Sequence, residues 1–142
     1  FKAIVPNLQK CSVPPTHIFY HQGEKDTLLQ TRAEKYVNNF ISLYEYLEMA
    51  FPDLLSMMVC KASYRMGVTS VAVRNAQSEI VRRCPKCVEG PDTDSLGSAM
   101  RRDETHFNDA GLDAFAALAV ESFLERGYVT RTCSYSSPEH RL

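Results

Sequence analysis

Asp103 and His106 stand three residues apart in Asp103-Glu104-Thr105-His106, just ahead of a segment with helical periodicity. A carboxylate in that position can accept from the imidazole Nδ1–H and fix the tautomer. The free Nε2 can then take a proton from a hydroxyl nucleophile. That is half of a hydrolase triad. Alone, D-x-x-H is a weak signal, because a loop leading into a helix with a surface histidine reads the same. A second group is His21-Gln22-Gly23-Glu24. Gln22 offers an NH2 that can donate to a developing oxyanion. Gly23 lets backbone approach a substrate closely, and Glu24 can anchor the loop by accepting backbone N–H bonds. A glycine turn followed by an acid at a helix start is the bland reading of the same residues.

The elements around these groups read as alternating strands and helices. Thr16–His21 is rich in β-branched and aromatic residues and reads as a short strand ending at Gly23. A long helix follows, capped by Asp26 or Thr27. Its stripe is Leu29, Ala33, Tyr36, Val37, Phe40, Tyr44 and Leu47, and Pro52 stops it near Phe51. Leu54–Cys60 is an almost unbroken apolar run, as expected of a strand buried on both faces. A helix over Val71–Arg83, closed by Pro85, precedes a weak strand at Cys87-Val88 and a turn-rich stretch from Gly90 to Asp94. The last helix is capped by Asn108 or Asp109. It carries Leu112, Phe115, Ala116, Ala119 and Phe123, and ends at Gly127. This order predicts right-handed crossovers and a parallel sheet with helices on both faces. Ligands bind such sheets at the carboxyl ends of the strands. His21–Glu24 and the loop from Asp94 to His106 both belong there.

The chain has 142 residues, 44% apolar and 23% charged, with net charge −1. The length suits one domain able to bury a core. Residues 1–129 form the expected domain and 130–142 a polar tail. The charge, and basic pairs as short as Arg82-Arg83 and Arg101-Arg102, argue against a nucleic-acid partner. No apolar run approaches the roughly 18 residues of a membrane span.

Tyr20-His21-Gln22-Gly23-Glu24-Lys25-Asp26 resembles the Q-G-E-x-D block of the sialate O-acetylesterase branch of the SGNH hydrolases. Asp94 through Gly111, D-S-L-G-S-A-M-R-R-D-E-T-H-F-N-D-A-G, is similar to that branch's terminal D-x-x-H-F block. Val73-Arg74-Asn75-Ala76-Gln77 resembles a recurring Arg/Gln segment. The likeness runs from about Thr16 to Arg126. It implies a three-layer αβα sandwich with a flavodoxin-like parallel sheet, here without its first strands. It also implies serine-type hydrolysis of acetyl esters on a carbohydrate, with no metal or cofactor. His106 and Asp103 take the triad roles, Gln22 the oxyanion donor, and Gly23 and Glu24 shape the loop.

The family's serine sits in an early G-D-S-type block, and none precedes Gln22. Ser95, in Asp94-Ser95-Leu96, follows Thr93 rather than Gly and lies within the terminal block. Ser12 has no elbow motif. The nucleophile is therefore expected upstream of Phe1. Without the first strands, the Thr16–His21 strand becomes an apolar edge that invites self-association. The rival reading is a non-catalytic carbohydrate-binding or interaction module derived from the same fold. Cys84-Pro85-Lys86-Cys87 suggests a thiol-redox site only weakly. It follows a helical pattern, whereas such motifs open a helix after a strand, and an incidental or disulfide-forming pair is the plainer reading. His17 and His21 can share a strand face, but rim or core histidines are commoner there than a metal pair.

Overall fold

The computed structural model describes residues 5–128; the polar tail and Cys133 lie outside them. A short helix, α1 (Val5–Leu8), precedes β1 (His17–Tyr20), α2 (Glu24–Leu28), α3 (Ala33–Ala50), β2 (Ser56–Lys61), α4 (Val71–Arg83), β3 (Cys87–Asp92) and α5 (Asp109–Glu125). The three strands form one parallel sheet in the order β1-β2-β3. The fold is thus α/β with an open, all-parallel sheet, as expected of a flavodoxin-like αβα sandwich.

The layers follow from the alternation of side chains along the strands. Ile18 and Tyr20 of β1, Met57 and Val59 of β2, and Cys87 of β3 pack with α3 and α4 in the main core. Tyr20 meets Phe40 edge-on at 4.9 Å between ring centroids. Phe19 points the other way, 5.5 Å from Phe115 and 6.1 Å from Phe123 of α5. Two right-handed crossovers that advance in one direction place both their helices on one face. The helix after β3 covers the other. Ser56 to Cys60 of β2 is buried throughout, which explains its unbroken apolar run.

Three expectations are corrected. The long helix is two helices. Gln30 adopts a left-handed conformation, φ 51°. Thr31 N–H donates to the Asp26 carbonyl and Gln30 N–H to that of Thr27, the paired closure that ends a helix at a left-handed residue. Asp26 and Thr27 lie inside α2, Arg32 precedes α3 without a side-chain cap, and Leu29 is exposed. The stretch read as a turn, Gly90 to Asp92, belongs to β3. Val59 pairs with Glu89 and Lys61 with Asp92, so β3 carries one extra residue as a bulge. A Cβ on Gly90 would come within 2.9 Å of Met58 Cγ. Pro91 is tolerated because β3 is an edge strand. Finally, α5 turns Phe115, Leu118, Ala119, Ser122 and Phe123 inward, while Leu112 and Ala116 are exposed.

Other local readings hold. Asn108 Oδ1 accepts from Gly111 N–H at 2.8 Å and caps α5. Gly127, φ 69°, ends it. Cys84 and Cys87 are free, buried thiols at the close of α4 and the start of β3. Burial pushes both thiols up, the opposite of a reactive pair.

Candidate active site

The carboxyl ends of β1 and β3 carry the two predicted segments, and the structure brings them together. The His21 ring lies 5.8 Å from Phe107 and 5.0 Å from Phe115. Phe107 directly follows His106, so this aromatic cluster supports the Asp103–His106 turn from below.

That turn is held by one carboxylate. Asp103 Oδ2 lies 2.6 Å from His106 Nδ1. Its Oδ1 accepts from His106 N–H at 2.7 Å and Thr105 N–H at 3.1 Å. Glu104 takes a left-handed conformation, φ 57°, to close the loop, and Arg102 N–H donates to the His106 carbonyl. The imidazole contact, then the His106 amide, hold the Asp103 carboxyl down at about 2. An ionised carboxylate only accepts, so Nδ1 carries a proton, and in the neutral ring Nε2 presents a lone pair. His106 is 65% exposed, so Nε2 is open to solvent and to a substrate. The arrangement can take a proton from a hydroxyl and return it to a leaving group. Among the described residues no hydroxyl hydrogen-bonds to the His106 ring.

Arg101 fixes this loop to the end of β3. It is buried at 7% exposure, not the surface residue its basic pair suggests. Its guanidinium donates to the carbonyls of Thr93, Leu96 and Thr105. It lies between the rings of Tyr64 and Phe107, 4.4 Å from each centroid. Asp94 does similar work toward β2. It accepts from Ser63 N–H at 2.6 Å, Tyr64 N–H at 2.7 Å and the Ser63 hydroxyl at 2.7 Å. Arg74 clamps it at 2.7 Å and reaches Asp92 with both nitrogens.

Gln77, fully buried, explains the Arg/Gln segment. Its Oε1 accepts from Ala62 N–H, and its NH2 donates to the Ala62 and Gln22 carbonyls. Tyr36 O–H also donates to the Gln22 carbonyl, at 2.6 Å. The backbone of the His21–Glu24 loop is thus pinned from α3 and α4.

The roles read for that loop are partly redirected. Gly23 is required by the protein itself: a Cβ there would sit 1.8 Å from the Ala62 carbonyl oxygen. Glu24 Oε2 accepts from Gly23 N–H at 3.1 Å, the anchoring bond expected of it. The Gln22 side chain faces α3, where one N–H donates to Asp26 at 2.7 Å and Oε1 accepts from Tyr20 O–H. Ser95 lies apart from His106's partners. Its hydroxyl donates to the Asp92 carbonyl at 2.6 Å, and it lines a separate cavity with Leu118, Ser122 and Arg126. His17 and His21 do not converge on a common ligand: His17 Nδ1 bonds the Thr16 hydroxyl and its ring meets Tyr128 at a 59° tilt, and His21 Nε2 bonds Thr93.

Neither curated proteins nor solved structures give a match. The family model for carbohydrate esterase, sialic acid-specific acetylesterase, matches residues 4–125, which spans both strand-end loops and the Arg/Gln segment. The chain belongs to this carbohydrate esterase family.

Proposed function

We propose that the chain supplies the acid–base half of a serine-type carbohydrate O-acetylesterase, a carboxylic ester hydrolase acting on an acetylated sugar. The observation that carries this reading is the 2.6 Å contact between Asp103 and His106 Nδ1, with Nε2 open. A serine hydroxyl brought to Nε2 loses its proton to His106 as its oxygen attacks the acetyl carbonyl. The tetrahedral oxyanion collapses, and the sugar oxygen leaves with that proton. Water then attacks the acetyl-serine, again deprotonated by His106, and acetate departs. Asp103 holds the tautomer throughout. Gln22 is the oxyanion donor in this reading. Asp26 uses one N–H of its amide and the other remains to donate. Glu24 keeps the loop in shape.

The serine belongs, in this proposal, to sequence upstream of Phe1, since the described residues offer His106 no hydroxyl. The same observation favours the second reading, a carbohydrate-binding or interaction module without chemistry, with self-association along the β1 edge. One experiment separates them. The coding sequence is expressed with its upstream codons, and acetate release is followed from an O-acetylated sialic acid. Turnover that a serine-directed fluorophosphonate blocks, and that His106→Ala abolishes, supports the esterase. Sugar binding without turnover supports the module.

A further inference from the structure

The two ends of the Gln22 side-chain amide are held by different residues. Asp26, inside α2, accepts from its NH2 group at 2.7 Å. Tyr20, the last residue of β1, donates its O–H to Gln22 Oε1 at 3.1 Å. A carboxylate can only accept. An amide turned over would set its oxygen against that carboxylate, two acceptors face to face, so one orientation satisfies both neighbours. The backbone of Gln22 is fixed separately. Tyr36 commits its O–H to the Gln22 carbonyl at 2.6 Å, and the Gln77 NH2 group donates to the same oxygen at 3.1 Å.

Both holders suit this task. Among the described residues no basic side chain forms an ion pair with Asp26. Its carboxylate is thus left to the amide, and a hydrogen bond to a charged acceptor is stronger than one between neutral groups. The Tyr20 ring packs edge-on against Phe40 at 4.9 Å between centroids, which fixes where its hydroxyl stands. Donation into Oε1 also draws electron density toward the oxygen and strengthens the amide as a donor. With one N–H taken by Asp26, the other has a fixed direction.

We infer that Asp26 and Tyr20 are positioning residues for Gln22: together they lock its amide in one orientation and aim its remaining N–H at the oxyanion. The inference rests on the proposed oxyanion role of Gln22. It gives the acid four residues after that glutamine a part in the chemistry, acting through the amide and without touching substrate. An oxyanion donor is effective only where its N–H already points at the developing charge, and an unrestrained glutamine has three side-chain torsions to order first.

The test has two arms. The first reads the side-chain NH2 group of Gln22 in nitrogen-15 NMR spectra of the 142-residue chain. The proton held by Asp26 is expected downfield of its place in an unstructured glutamine. Asp26→Ala should return it to that place, whereas Asp26→Asn keeps an acceptor and should preserve the displacement. Tyr20→Phe removes only the hydroxyl and should also move the signal, so the arm stands even if Asp26→Ala misfolds. A Gln22 signal at the unstructured position in the parent, or unchanged in both Asp26→Ala and Tyr20→Phe, overturns the inference. The second arm is turnover of an acetylated sugar by the chain expressed with its upstream codons. Asp26→Ala should lower kcat roughly 10²-fold with little change in KM, as a misaimed group does. It should add nothing to the loss in Gln22→Ala, because both act through one amide. A loss in Gln22→Ala with none in Asp26→Ala overturns the positioning role and keeps Gln22 as the donor. No loss in Gln22→Ala removes the oxyanion role instead, and the NMR arm still decides whether Asp26 and Tyr20 lock the amide.

Discussion

The Nε2 of His21 lies 2.9 Å from the hydroxyl of Thr93, tying the end of β1 to the end of β3. The Thr93 hydroxyl has one proton and donates it to the Lys61 carbonyl, so it must accept from His21. His21 therefore carries a proton on Nε2. Burial pushes its pKa down; Glu24 opposes this and Arg101 reinforces it. The folded chain thus resists a second proton that the unfolded chain takes up near pH 6.5.

Stability is expected to fall as pH drops below about 6.5 through His21's lowered folded-state pKa, and to be insensitive to this group above that. The unfolded state binds the extra proton in that window, which fixes the sign. The depressed carboxyls of Asp92 and Asp103 act only at more acidic pH. Urea unfolding between pH 7.5 and 5 measures the slope, and His21→Phe should flatten it. An unchanged slope in His21→Phe removes His21 as its cause.

Gln77→Ala is expected to cost roughly 2–4 kcal/mol. The change leaves Ala62 N–H and C=O, both buried, without the amide that faces them. Arg82→Ala, on the exposed face of the same helix, should cost under about 0.5 kcal/mol despite its ion pair with Glu79. Chemical denaturation of both variants checks the contrast. Similar losses would mean that the buried amide is not what holds the β2 end.

Much of this arrangement was legible in the sequence where local pattern and tertiary outcome agree. The α3 stripe from Tyr36 to Leu47, the Asn108 cap and the continuous apolar β2 each carry their own signal. The D-x-x-H spacing also closed into the Asp103–His106 hydrogen bond. What escaped was set by distant neighbours. Gln30 adopts the left-handed conformation with no glycine to announce it. Gly90-Pro91 spells a turn but is a bulge at a sheet edge. Arg101 reads as half of a surface basic pair and is buried between two aromatic rings supplied by residues 64 and 107. The Gly23 requirement is legible as a glycine, but its cause, the Ala62 carbonyl, lies in another strand's continuation.

Gly23→Ala should therefore be severe. A methyl group 1.8 Å from the Ala62 oxygen and 2.9 Å from Val73 Cγ1 cannot be absorbed by a side-chain rotation, because the nearest atom is backbone. A loss of about 3 kcal/mol or more is expected, with the His21–Thr93 contact disturbed in the NMR spectrum. A loss below about 1 kcal/mol would show that the loop relaxes freely and that the close approach is not a constraint.

Asp103→Ala is expected to leave the fold intact and release the His106 tautomer. The carboxylate is exposed, and its partners are the imidazole and two amides of its own turn. Imidazole nitrogen-15 shifts should report Nδ1–H in the parent chain and a mixture of tautomers in the variant. If the proposed esterase activity is reconstituted with its serine, Asp103→Asn should lower kcat by about 10⁴, as wrong-tautomer variants of triad hydrolases do. A parent chain already mixed in tautomer would remove Asp103 from the orienting role.

Ser95→Ala is expected to change nothing in the proposed catalysis, because Ser95 does not face the Asp103–His106 pair. Its hydroxyl is spent on the Asp92 carbonyl at 2.6 Å within the 3₁₀ turn Thr93–Ser95. It borders the cavity walled by Leu118 and Ser122 of α5. The His106 ring, by contrast, has Asp103 as its one hydrogen-bond partner among the described residues. In the proposed role of general base, His106 with no hydroxyl against it accelerates little; removing the nucleophile of a serine hydrolase costs about 10⁶ in kcat. The 142-residue chain by itself should thus hydrolyse p-nitrophenyl acetate and an acetylated sugar at close to the background rate, and Ser95→Ala and His106→Ala should both match it. Robust turnover by the parent, lost in both variants, would make Ser95 the nucleophile. The Thr93–Ser95 turn would then have to unwind and break the Asp92 bond to bring its hydroxyl to Nε2.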